Sequence, residues 1–225
     1  MKRRNKKRNS LALIIPGIIL LVGIGIAYHF IQDSQSLPIY SPSQINPELV
    51  DISKQSVKKD HHIANFELID QDGNTFTQDK IEGKYYVTDF FFTNCPTICP
   101  DMSGQLQRVQ EEFALLEDFM ILSHSVQPEV DSPAVLLDYA SRYGADLNQW
   151  VFLTGDKKVI YDLARKSYFA AVTEGDGGVN DFIHTENFVL VDKKKRIRGF
   201  YDGTSEQSVD QLIRDVKILS REYED

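Results

Sequence analysis

Cysteine is nearly absent from this sequence: there are two in 225 residues, Cys95 and Cys99. Two thiols are too few for a disulfide-stapled scaffold, and a chain of this length does not need staples to bury a core. No segment recurs with a period of about 20–50 residues, which excludes a solenoid or propeller. A broad basic surface is also missing. The net charge is −8 and the pI is near 5.2, so nucleic acid is excluded as a partner for the chain as a whole. Proline is absent after Pro133.

The one concentration of positive charge is at the start. "MKRRNKKRNS" holds Lys2, Arg3, Arg4, Lys6, Lys7 and Arg8 and no acid. Directly after it come residues 11–28, "LALIIPGIILLVGIGIAY", uncharged and mainly apolar. As a helix this run spans ~27 Å, close to the hydrocarbon thickness of a bilayer. Neither a small-x-small cleavage site nor a cysteine for lipid attachment follows it, so an uncleaved anchor is expected. The basic block places residues 1–10 in the cytoplasm, residues 11–31 as a single transmembrane helix, and the rest outside the cytoplasm (the periplasm in a Gram-negative bacterium). Residues 32–60, rich in Ser, Pro and Gln up to Gln55, read as an extended tether. The folded domain is expected over 61–225.

Within that domain, "ANFELIDQDGNTFT" is a hairpin pattern around Asp72-Gly73. Residues 84–94, "KYYVTDFFFTN", are β-branched and aromatic and read as a buried central strand. Residues 100–116 carry Met102, Leu106, Val109, Phe113 and Leu116 at helical spacing. Strands are expected at 119–126 and 150–154, with helices at 132–143 and 156–168. Ser132 caps the first of these helices, Pro133 opens it and Gly144 closes it. A hairpin over 186–192 and 197–202 turns on "KKKR". Ser205 then caps a last helix with the stripe Val209, Leu212, Ile213, Val216 and Leu219. The order predicts an α/β mixed sheet flanked by helices.

Both cysteines lie in "FFTNCPTICPDMSGQL", between a strand and a helix. With Cys99 opening the helix and Pro100 at its first position, Cys95 falls in the loop just before it. The partial positive charge at a helix start favours thiolate, the form that binds metal and attacks disulfides. Four residues apart on one turn, both sulfurs converge, with a Cα separation of ~6 Å that permits a bridge or a two-sulfur clamp. A purely structural bridge is a poor use of the pair, because the loop it closes is tiny. Spacing alone does not separate redox chemistry from metal binding.

The histidines help to decide. His29 flanks the apolar segment, His61 and His62 lie in the polar run "KKDHHIAN", and His124 falls within a strand, where a hydrogen-bonded core histidine is expected. His184 stands two residues ahead of the strand at 186–192. Thioredoxin-type oxidoreductases place a cis-proline before the strand facing their thiols. This chain has no proline there and has His184 nearby. Two thiolates and one imidazole form a soft-leaning set suited to copper, as Cu(I) or Cu(II).

The stretches "FFFTNCPTICPDMSGQL", "SVQPEVDSPAVLLDYASRYGAD", "WVFLTG" and "HTENFVLVDKKKRIRGFYDGT" together resemble the Sco/SenC family (synthesis of cytochrome c oxidase) over about residues 63–220. C-P-x-x-C-P followed by a histidine before "FVLVD" is the specific element. The resemblance implies a thioredoxin-like fold and copper held by Cys95, Cys99 and His184. The implied task is copper delivery, from an upstream donor, to the binuclear site of cytochrome c oxidase subunit II or another copper-site client. The rival task is that of a thiol–disulfide reductase, with Cys95 and Cys99 as the redox pair keeping client cysteines reduced. The sequence departs from the family pattern at Thr97, where many relatives carry an acid. It departs again at Gln127 before Pro128-Glu129, and at the "KKKR" turn.

Overall fold

The computed structural model describes residues 14–26, 36–50, 61–171, 175, 177, 178 and 181–224. Leu37–Asp225 form one compact unit and Met1–Ser36 another. The larger unit is built on a seven-stranded mixed sheet. Its strands are β1 (Glu67–Asp70), β2 (Thr75–Thr77), β3 (Tyr85–Phe91), β4 (Phe119–Ser125), β5 (Trp150–Thr154), β6 (Asn187–Val191) and β7 (Ile197–Asp202), in the spatial order β2-β1-β5-β4-β3-β6-β7. The central strands β3, β4 and β5 run parallel, and the outer pairs are antiparallel.

Every residue of β3, β4 and β5 is buried. Burial on both faces is why these strands read as continuous apolar and aromatic runs rather than alternating ones. On one face Phe91 meets Tyr139 and Phe152; on the other Phe90 meets His124 and Tyr168. The helix over residues 14–26 is α1. The connections of the larger unit are α2 (Ile98–Glu112), α3 (Pro133–Arg142), the short α4 (Lys157–Asp162) and the C-terminal α5 (Glu206–Arg221). In α5 Val209, Leu212, Val216 and Leu219 are buried and Ile213 is half-buried, so the expected stripe lies against the core. The helix expected over 156–168 divides: α4 stops at Asp162 and a π turn, Leu163–Ser167, continues it.

One expectation needs correction, and a second is met only in part. The first is the tether. Leu37 to Val50 are not a free linker but pack on the domain. Tyr40 N–H pairs with Ile197 O at 3.0 Å, and Arg198 donates to the carbonyls of Leu37 and Pro38 at 2.8 and 3.0 Å. Ile45 and Val50 are buried. Sparse apolar residues among prolines and serines make no periodic signal, yet Leu37, Tyr40, Ile45, Leu49 and Val50 pack on the core while Ile39 stays exposed. The second is the anchor. Among the described residues no helix is long and apolar enough to cross a membrane. In the described part of α1 the apolar residues Ile14 to Ile26 are exposed. The basic tail, the ends of the expected span, His29 and the tether at 32–35 and 51–60 lie outside the described residues.

His124 sits in an aromatic cage of Phe66, Phe90 and Tyr168. Thr88 donates its hydroxyl to Leu122 O at 2.8 Å, so it accepts from His124 Nδ1 at 2.9 Å. Nε2 is then left as a buried acceptor without a partner. Burial holds the imidazole neutral and pushes its pKa down to about 4. A depressed histidine lends stability that is complete above about pH 6.5 and lost as pH falls towards 4. This group alone should cost about 3 kcal/mol across that window. Urea unfolding of the wild type and His124→Gln at pH 7 and pH 4 should show the variant lacking that component. Parallel pH dependences would refute it.

Candidate functional site

The site is at the C-terminal end of β3, where the strand runs into a short turn closed by Cys95 N–H to Phe92 O at 3.2 Å. A buried carboxylate fixes this turn. Asp131 accepts from Thr93 through its hydroxyl at 2.5 Å and its backbone at 3.2 Å, and from Ser125 Oγ at 2.5 Å. The "SVQPEVDS" stretch thus holds the loop two residues before Cys95. Cys95 and Cys99 are both free thiols, 6% and 2% exposed.

α2 begins at Ile98 with Thr97 as its cap, slightly earlier than the sequence implies. Burial by itself would raise the Cys95 thiol. The backbone N–H of Cys99, the hydroxyl and N–H of Thr97 and the Cys99 thiol outweigh it, lowering Cys95 from 9.0 to about 6. Thr97 Oγ1 lies 3.5 Å from Cys95 Sγ and makes no cap bond within the helix. Cys99 goes the other way: burial pushes its thiol well up, the Phe92 backbone opposes this, and the charge on Cys95, to which Cys99 donates, adds to it, as does Asp89. The pair is one thiolate and one thiol at neutral pH. Thr97 acts as a neutral donor to the thiolate.

Beneath the pair lies Asp89 of β3, 1% exposed, accepting from Ser123 Oγ at 2.5 Å; Ser123 in turn accepts from Trp150 Nε1 at 2.8 Å. Burial pushes this carboxyl up to about 7 against the Ser123 bond. Sequence reading passed over Asp89. The available signal was a lone acid within an otherwise aromatic and β-branched strand.

β6 pairs antiparallel with β3, so the segment leading into β6 arrives at the same end of the sheet. His184 is exposed there, its ring 6.2 Å from that of Phe92, which also meets Phe182 at 5.1 Å. Among the described residues, no three His, Cys, Asp or Glu side chains form a group able to hold a metal ion. The structure therefore joins the two sulfurs and brings His184 to their side of the domain without closing it on them. A thiolate–thiol pair fits a soft ion such as Cu(I) by its donor chemistry. The other described histidines lie elsewhere. His124 is in the core, and His61 and His62 bond Ser167 O and Lys194 O at 2.6 and 2.7 Å. His61 also packs on Phe169 and is half-buried, where the polar run around it implied a solvated ring.

Residues 54–220 match the family model described as SCO1/SenC. The chain belongs to the SCO1/SenC family. A SCO1 protein homolog of Bacillus subtilis strain 168 is 33% identical over 162 residues, covering 71% of this chain and 83% of its own. Among solved structures, BsSco is 32% identical with a TM-score of 0.61, covering 72% of this chain and 94% of its own. It is described as a Sco family cytochrome c oxidase assembly protein with a disulfide switch. Yeast Sco1 with copper bound is 27% identical with a TM-score of 0.55, covering 70% and 89%. As a SCO1/SenC protein the chain has the thioredoxin-like fold that the resemblance implies, on the mixed sheet that the alternation of its strands and helices predicts.

Proposed function

We propose that this SCO1/SenC protein is a membrane-anchored copper metallochaperone. In this reading it holds one copper ion through Cys95, Cys99 and His184 and delivers it to a copper-site client, the binuclear site of cytochrome c oxidase subunit II. The observation that carries the reading is a pair of free cysteines at one helix start, one of them held as thiolate at neutral pH. Cu(I) takes two or three soft ligands, and Cu(II) needs the added nitrogen. Cys95 is ready to bind without losing a proton, whereas Cys99 must give one up, so loading releases about one proton near pH 7. His184, exposed on the same side, supplies the nitrogen. Residues 11–31 keep the domain near a membrane-bound client outside the cytoplasm, raising their effective concentration.

The thiolate–thiol asymmetry also favours a second reading, thiol–disulfide reduction. Cys95 attacks a client disulfide, and Cys99 resolves the mixed disulfide. The client gains two thiols as the pair becomes a disulfide. A titration of the reduced full-length protein in detergent separates the two. Saturation near one copper, with sulfur in the X-ray absorption shell, is expected. His184→Ala should weaken Cu(II) by at least ~10-fold and Cu(I) far less. A copper shell without sulfur would sink the chaperone reading, and client disulfide reduction with no copper binding would promote the second.

A further inference from the structure

His184 is the exposed member of the proposed ligand set, yet the backbone on both sides of it is fastened to the core. Before it, Ile183 N–H donates to Tyr161 Oη at 3.4 Å, and that hydroxyl lies 3.0 Å from Val126 O and 3.3 Å from Asp181 O. Val126 donates its own N–H to Phe91 O at 2.8 Å, the last residue of β3 before the cysteine turn. After it, Thr185 Oγ1 donates to Ala170 O at 2.6 Å and Asn187 Nδ2 reaches the same carbonyl at 3.0 Å.

A second device backs the first. Asp181, three residues ahead of His184, receives both Arg165 amino groups at 2.5 and 2.6 Å and the Gly177 N–H at 2.6 Å. The side chains of Arg165 and Asp181 are only 6% and 9% exposed. The π turn puts Arg165 on the inside, with its guanidinium 5.3 Å over the Tyr161 ring. A buried ion pair adds little net stability, because desolvation offsets the attraction. A bidentate fork fixes geometry instead.

We infer that Tyr161, backed by the Arg165–Asp181 pair, is a positioning element for His184, which holds the imidazole at the cysteine end of the sheet and so sets the preference for Cu(II) over Cu(I). This rests on the reading of His184 as a ligand. An exposed ligand on an unfastened loop would lose backbone and rotamer freedom on every binding event; a fastened backbone has lost most of it beforehand.

Tyr161→Phe in the full-length protein keeps the ring and removes only the hydroxyl. Cu(II) affinity should fall about tenfold, as for loss of an outer-shell partner, and Cu(I) affinity should stay within about twofold. The Cu(II) paramagnetic resonance spectrum should shift. In a His184→Ala background the same change should have no further effect on Cu(II). Without metal, amide exchange at Ile183 and His184 should quicken while β3 stays protected. Arg165→Lys, which keeps the charge but not the fork, should give an intermediate loss. Equal losses for both oxidation states, or the same loss in the His184→Ala background, would mean a merely structural role and overturn the inference. If His184→Ala leaves Cu(II) affinity untouched, the ligand reading falls and takes this inference with it. If His184→Ala weakens Cu(II) and Tyr161→Phe does not, the inference falls alone. Should Tyr161→Phe fold poorly, Asp181→Asn repeats the test through the second device.

Discussion

The Cys95→Ser/Cys99→Ser double variant should lose tight copper binding while keeping its fold. Both sulfurs leave the proposed ligand set at once, so the loss should exceed the ~10–100-fold that removing an outer-shell partner costs. Stability should change far less. The thiols are free and close only a short loop, and the helix that carries Cys99 is held by Met102, Leu106 and Val109, all fully buried. Two buried hydroxyls in place of thiols cost on the order of 1–2 kcal/mol, a lowering of the melting temperature by about 2–8 °C at this size. The single variants should differ. Cys99→Ser leaves the Cys95 thiolate in place, so its alkylation by iodoacetamide should still titrate well below the ordinary range of a free thiol. Cys95→Ser leaves only Cys99, whose thiol should react slowly at pH 7. Isothermal titration with Cu(I) under a competing ligand, beside a melting curve of the apo protein, checks both halves. Wild-type affinity in the double variant would remove the sulfurs from the site; failure to fold would make the cysteines structural.

Asp89→Asn should stabilise the protein at pH 8 and do so progressively less towards pH 4. The Asp89 carboxyl is raised from 3.8 to about 7 by burial, so the fold favours its protonated form. For such a group stability is complete below the unfolded pKa and is lost as pH rises through the folded one. Between about pH 4 and pH 7 the loss is of order 4 kcal/mol, and above that window the fold carries it in full. Asparagine cannot ionise, and its amide oxygen can still accept from Ser123. This dependence has the opposite sign to that of His124, so the wild type should show a flattened acid profile that each single variant tilts in a different direction. Guanidinium unfolding of wild type and Asp89→Asn at pH 5 and pH 8 measures it. A variant no more stable than wild type at pH 8 would show that the buried carboxylate is not penalised.

Much of the domain was legible because its elements announce themselves locally. β3 to β5 are buried on both faces, so their composition alone distinguishes them from amphipathic edges. α3 carries its own punctuation, Pro133 at the start and Gly144 at φ 61° just past the end, a conformation that glycine adopts without strain. The π turn after α4 has no such marker. It depends on Leu163, Ala164 and Arg165 all finding buried places, which the helical period of that stretch does not encode.

By itself the sequence determined the order of strands and helices and the placing of both thiols between β3 and α2. Each of these is a matter of spacing along the chain. Tertiary structure decided which thiol is the thiolate. That depends on which sulfur the first free N–H groups of α2 meet, which the spacing of the cysteines does not say. It also decided that Leu37 to Tyr40 pair with β7 and that Ile45 and Val50 are buried rather than hanging free, and that Tyr161, Arg165 and Asp181 converge beside His184. Convergence of this kind is a contact between segments remote in sequence, and no local pattern of residue types records it, because each partner is chosen by the packing of the sheet between them.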